Sequence, residues 1–100
     1  MRFGLLYLPT YVQELDGTRA EFYEHMLAQI GVAEGLGYDD VWITEHHFTE
    51  YGGAIPDPTV FLTAVALRTH RVRLGVAVTV LPLRNPVHVA ESYAMVDVLS

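Results

Sequence analysis

The chain has 100 residues, a formal net charge of −6 and no cysteine, and its six cationic side chains are all arginines. That length allows one small domain, the missing cysteines exclude disulfides and thiolate chemistry, and the lack of any basic cluster argues against nucleic acid and anionic membrane surfaces as partners. An apolar fraction of 51% is right for a packed core and too high for a disordered segment.

The opening stretch, Met1 to Pro9, carries one positive charge and an apolar run too short for a signal peptide. Nothing in the chain approaches the ~20 apolar residues of a membrane span. A soluble, cytoplasmic protein is expected. Arg2 to Leu8 is apolar almost throughout and stops at Pro9, the pattern of a strand buried on both faces of a parallel sheet. A polar link, Gln13 to Gly17, follows. Thr18-Arg19-Ala20-Glu21 has capping-box spacing, in which the threonine hydroxyl accepts from the glutamate amide and the carboxylate reaches back. Phe22, Met26, Ile30 and Ala33, with Leu27 alongside, then recur at helical steps, and Gly35 and Gly37 supply the stop.

The second unit repeats the scheme. Asp39 to Thr44 reads as a strand, and a long loop runs from His46 to Pro56. Asp57-Pro58 opens a helix with an N-cap and a first-turn proline, and this helix is expected over Thr59 to Thr69 with Val60, Phe61, Ala64 and Leu67 as its apolar positions. Leu74 to Leu81 is the most strand-like stretch of the chain, ended by Pro82. Asn85-Pro86 is a second cap-plus-proline pair, and the last helix, Val87 to Leu99, carries Val89, Tyr93, Val96 and Leu99 on one side. Phe61, Val65, Leu67, Tyr93 and Val96 together offer enough apolar surface for both a core and a subunit contact.

Strands therefore start near residues 2, 39 and 73, at intervals of roughly 35 residues, the repeat of βα units with right-handed crossovers. No linker or internal domain boundary interrupts residues 1–100. Three units do not close a sheet, and an open three-stranded parallel sheet would leave two apolar edges. The expectation is that these are the first units of a larger domain; the alternative is a complete small three-layer domain.

The chemistry concentrates in Trp42 to Gly52. The apolar run Val41-Trp42-Ile43 ends in Thr44-Glu45-His46-His47, a carboxylate and two adjacent imidazoles at a strand's carboxyl end, where α/β folds build active sites. Imidazole is the side chain that moves protons near neutral pH, and a strand terminus holds it rigidly. Read from spacing alone, His46 is either such a group or an ordinary loop histidine. Neighbouring residues on a strand diverge, so His46 and His47 are not expected in one pocket, and Glu45 is read as structural. Two adjacent histidines with Glu45 could ligate a metal, as in a metal-dependent hydrolase, but neither H-x-H nor H-E-x-x-H spacing is present. Gly75 and Ala77 are small enough to let a flat ring approach the third strand.

These motifs taken together resemble the bacterial luciferase-like flavin-dependent monooxygenases. The resemblance covers all 100 residues. It runs through Met1-Arg2-Phe3-Gly4, Glu34-Gly35-Leu36-Gly37-Tyr38-Asp39, the Glu45 to Glu50 stretch, Val80-Leu81-Pro82, Asn85-Pro86-Val87, Ala90-Glu91 and the closing Asp97-Val98-Leu99-Ser100. The resemblance implies a TIM (β/α)₈ barrel, of which this chain supplies the first three βα units. It implies an enzyme that uses reduced FMN, supplied by a separate flavin reductase, and O₂ to oxidise a small organic substrate such as an aldehyde. It implies His46 as the catalytic imidazole, and His47 as a structural residue near a subunit contact and near Glu91. It also implies a non-proline cis peptide at Ala77-Val78 beneath the flavin, and Gly75, by its small size, is read as a further cofactor-binding position. A homodimer or heterodimer is expected. Tyr7, Pro9, Thr10 and Tyr11 either line a substrate pocket or only pack. The rival readings are a non-catalytic flavin-binding or partner subunit, a deazaflavin-dependent relative and the metal-dependent hydrolase.

Overall fold

The computed structural model describes residues 1–100. Its elements are β1 (Gly4–Tyr7), a short α1 (Gln13–Asp16), α2 (Arg19–Gly35), β2 (Asp40–Ile43), α3 (Pro58–Ala66), β3 (Arg73–Val76), one 3₁₀ turn (Leu81–Leu83) and α4 (Pro86–Leu99). The strands form one parallel sheet in the order β1-β2-β3. In register, Tyr7 lies beside Ile43 and Ile43 beside Val76, so all three strands end at the same edge.

Alternation decides what covers each face. Val41 and Ile43 are fully buried, and they join Phe22, Met26, Leu27 and Ile30 of α2, Phe61, Leu62 and Val65 of α3, and Val96 of α4 in one cluster. Full burial of an aliphatic side chain such as Ile30 or Leu62 is worth ~1.5–3 kcal/mol. Leu6 and Trp42, pointing the other way, are exposed. The helices thus cover one face of the sheet, and the face bearing Leu6, Trp42 and Gly75 has no helix over it.

The helix signals act as their chemistry requires. Thr18 and Glu21 form the full capping box. Asp57 caps α3 by accepting from Thr59 N and Val60 N, and Asn85 caps α4 by accepting from Val87 N. At the end of α2, Gly37 sits at φ +93°, and the amides of Gly37 and Tyr38 donate to the carbonyls of Glu34 and Ala33, a left-handed stop that glycine permits.

Five expectations need correction. The polar link holds a turn of helix, α1, closed by Asp16, whose carboxylate accepts from Val12 N at 2.7 Å. The third strand ends at Val76 rather than Leu81: its partner β2 stops at Ile43, the last ladder bond is Ala77 N to Ile43 O, and the Val80 amide donates instead to the Glu45 carboxylate. The apolar face of α3 is Phe61, Leu62, Val65 and Ala66, while Val60 and Leu67 are exposed. Phe61, Val65 and Val96 are spent in the core and cannot also face a second subunit. On α4 only Val96 is buried, with Val89 and Tyr93 half-buried and Leu99 exposed.

Candidate active site

The shared strand edge gathers three loops, Leu8 to Val12, Thr44 to Pro56 and Ala77 to Arg84. They are tied to one another by backbone. Thr44 N donates to Tyr7 O, Ala54 N to Pro9 O and Ala77 N to Ile43 O. Gly52 N donates to Thr10 Oγ1 at 2.9 Å, and the Tyr23 hydroxyl donates to Ala54 O. Thr10 is therefore a loop tie, and Tyr11 packs edge-on against Phe22 beneath the Arg19 guanidinium. Tyr7 packs against the core, where burial raises its hydroxyl pKa.

Glu45 is the hub. Its side chain is wholly buried. Oε1 accepts from His47 Nε2 at 2.8 Å and from Arg84 Nε at 3.0 Å, and Oε2 accepts from Val80 N at 3.1 Å. Burial alone would raise its carboxyl pKa, but these bonds together hold it below the ordinary carboxylate range. Arg84 extends the network: Nη1 donates to Asp57 Oδ2 and Nη2 to Pro56 O, each at 3.1 Å. Burial works against both charges, but bonds from Thr59 and Arg84 lower the Asp57 carboxyl, and bonds to Asp57 and Glu45 raise the Arg84 guanidinium.

The two histidines separate. His47 is committed to Glu45, which within this chain is the carboxylate that holds it. His46 is exposed, and its Cδ2 and the Leu8 side chain both lie close to the space a Cβ on Gly52 would take. Around the corner of the sheet edge, the Ala77-Val78 peptide is cis and Val78 is 67% exposed. The space a Cβ at Gly75 would need is filled by the Trp42 indole, whose Cε3 would be 2.5 Å away. Gly75 therefore makes room for this chain's own ring. Beside these groups, the Thr44 hydroxyl is buried with no hydrogen-bond partner. No three His, Cys, Asp or Glu side chains converge on a point that could hold a metal ion.

The family profile of luciferase-like monooxygenases matches residues 1–100. The chain belongs to the luciferase-like monooxygenase family. Among its curated relatives, the alkanal monooxygenase alpha chain of Photorhabdus laumondii subsp. laumondii is 33% identical over all of this chain and 27% of its own length. The oxygenase component of the flavin-dependent trigonelline monooxygenase of Acinetobacter baylyi is 31% identical over the same shares. Among solved structures, a monooxygenase of Streptomyces bottropensis superposes with a TM-score of 0.93 and 37% identity over 100% of this chain and 30% of its own. The oxygenating constituent of the 3,6-diketocamphane monooxygenase of Pseudomonas putida, solved in complex with FMN, superposes with a TM-score of 0.86 over 99% of this chain and 26% of its own. At 22% identity it speaks for the fold alone. This luciferase-like chain thus spans about a quarter to a third of the length of the relatives it matches.

Sequence reasoning named His46, His47 and Glu45 but missed Arg84, the second role of Asp57 and the indole over Gly75. One signal for Arg84 was available: it is the only cation after Arg73, set in an apolar stretch directly before a helix cap.

Proposed function

We propose that the chain forms the first three βα units of a TIM (β/α)₈ barrel monooxygenase that oxidises a small organic substrate, such as an aldehyde, with reduced FMN and O₂. Family membership supports the chemistry, and one observation carries the site: the loops that follow β2 and β3 present an exposed imidazole, His46, and the exposed Val78, and the uncovered sheet face carries the exposed Trp42. A flat ring with a polar rim suits that pairing. The residues present fit too: the charge of the nearby Glu45 carboxylate is offset by the Arg84 guanidinium bonded to it, and the buried Thr44 hydroxyl is left without a partner.

Ala77 and Val78 would hold the ring by their backbone and side-chain surface, with Gly75 acting by seating Trp42. When bound, reduced FMN supplies the electrons that allow one oxygen atom of O₂ to reach the substrate. His46 takes up and returns the proton that this transfer requires. Trp42 and Val78 exclude water from the ring's face. His47, bound to Glu45, keeps the loop in place. A flavin reductase supplies the reduced cofactor, the protein works as a homodimer or heterodimer, and the compartment is the cytoplasm; no helix is long and apolar enough to cross a membrane.

The test is made on the intact protein. With a flavin reductase present, it should bind reduced FMN and show aldehyde-dependent O₂ consumption. His46→Ala should lower turnover by about 100-fold or more, the range of general acid–base catalysis, and His47→Ala by much less. Equal, small effects would reject the roles assigned, and flavin binding without turnover would favour a silent subunit.

A further inference from the structure

Two of the proposed active-site elements lie on different loops. His46 follows β2, and the Ala77-Val78 peptide follows β3. The chain must hold them at a fixed separation, and backbone pairing cannot do so alone, because the ladder between β2 and β3 ends with Ala77 N and Ile43 O. Beyond that bond, two side chains, Glu45 and Arg84, join the two loops. Glu45 is the residue directly before His46, and its Oε2 accepts from the amide of Val80, two residues after Val78. Its Oε1 is held in turn by Arg84 Nε, and Arg84 is itself held by Asp57 Oδ2 and Pro56 O. Arg84 thus reaches the start of the β2 loop, the end of that loop and the cap of α3 with one planar fork.

We infer that Glu45 and Arg84 are positioning residues that set the separation between the His46 imidazole and the Ala77-Val78 backbone. The inference rests on the functional reading above, and neither residue touches substrate. The Glu45 side chain is wholly buried and both of its oxygens already accept hydrogen bonds from this chain, so it offers no exposed surface to a ligand. Removing Arg84 leaves Oε1 with His47 alone and frees the loop 77–84. The fork geometry matters as much as the charge, since lysine cannot reach Glu45, Asp57 and Pro56 O together.

The charged groups facing Glu45 are His47 and Arg84, with Asp57 on the far side of the guanidinium. Loss of Arg84 removes one of the bonds that lower the Glu45 carboxyl. The acid limb of turnover should then move to higher pH, because Glu45 protonates sooner and releases Val80 N. That shift should vanish in the Glu45→Gln/Arg84→Ala double variant, which has no carboxyl to titrate.

The experiment uses the intact protein with reduced FMN and a straight-chain aldehyde. Wild type, Arg84→Ala, Arg84→Lys and Glu45→Gln are compared for anaerobic reduced-FMN affinity, for kcat and KM, and for deuterium uptake of segment 77–84. Misplacing a reacting group by about 1 Å costs about 100-fold. Arg84→Ala should accordingly lose 10- to 100-fold in kcat with the aldehyde KM within about threefold, bind reduced FMN more weakly and exchange faster in 77–84. Arg84→Lys should recover the pH profile and leave kcat low. Full recovery of kcat by lysine, or unchanged flavin affinity and kcat in both Arg84→Lys and Glu45→Gln, overturns the inference. If Arg84→Ala does not fold, those two variants decide it. A wild type that shows no flavin response at all removes the functional reading and this inference with it, whereas a responsive wild type with unaltered variants removes this inference alone.

Discussion

Gly52 shows how a single missing side chain shapes the site. Its φ of +75° is a conformation that side-chain-bearing residues resist. A Cβ there would stand 2.6 Å from Leu8 Cδ1 and 3.2 Å from His46 Cδ2. Leucine's terminal carbon can swing away, but the imidazole has to give by a few tenths of an ångström. Gly52→Ala should therefore cost about 1–2 kcal/mol in a urea titration, from the backbone conformation, and should lower turnover further by displacing His46. Gly31 provides the control. It is helical, a Cβ there would meet nothing within 4 Å, and Gly31→Ala should be neutral or stabilise by up to about 1 kcal/mol. If both variants lose turnover equally, the contact between Gly52 and His46 is irrelevant to activity. The sequence marks Gly52-Gly53 only as loop glycines; that Gly52 lies close to two side chains 6 and 44 residues away in sequence follows from the meeting of two loops, which no local pattern records.

At the scale of elements, the helix starts were legible because capping is local: Thr18, Asp57 and Asn85 each bond amides two or three residues ahead. The face of α3 was not legible, because Pro58 to Ala66 is apolar nearly all round and its period selects no side. The end of β3 depended on a carboxylate from another loop. A comparable long-range tie stands at the opposite end of the sheet. Glu34, near the end of α2, accepts from three successive amides leading into β3, those of His70, Arg71 and Val72, at 2.9, 2.6 and 3.0 Å. Arg71 donates back to the carbonyls of Glu34 and Tyr38. Partial burial works against the Glu34 charge, but the three amides prevail and lower its pKa. The sign follows from that direction. A carboxyl whose folded pKa is depressed contributes stability above its ordinary pKa, and the contribution is lost as the pH falls through the folded value. Glu34→Gln should lower the urea midpoint at pH 7, corresponding to a loss of about 1–2 kcal/mol in unfolding free energy after solvent screening. The deficit should shrink as both proteins are taken to lower pH. A deficit that stays constant with pH would show that the glutamate's shape, rather than its charge, makes the tie.

At the scale of the molecule, the repeat of βα units was legible from the spacing of apolar runs, whereas the uncovered face was not. A parallel strand that is apolar on both sides gives no alternation, so Leu5 and Leu6 look alike in sequence although only Leu6 is exposed. That face carries Leu6 at 64% and Trp42 at 43% exposure. Both flanking strands, β1 and β3, are edges. Open edges beside an exposed apolar face invite pairing between copies. Expressed alone, the 1–100 chain should self-associate at micromolar concentration in analytical ultracentrifugation, and a monomer with a sharp melting transition would contradict this. Leu6→Lys separates the open face from the proposed barrel interior. In the isolated chain it places a charge on surface that is already exposed, so it should weaken association and leave the melting temperature nearly unchanged. In the intact protein the same change should bury an unpaired ammonium among apolar side chains, at a cost of several kcal/mol, and sharply reduce the yield of folded protein. A Leu6→Lys variant that is equally well tolerated in both settings would mean that this face remains open to solvent in the intact protein, and the barrel assignment would fall with it.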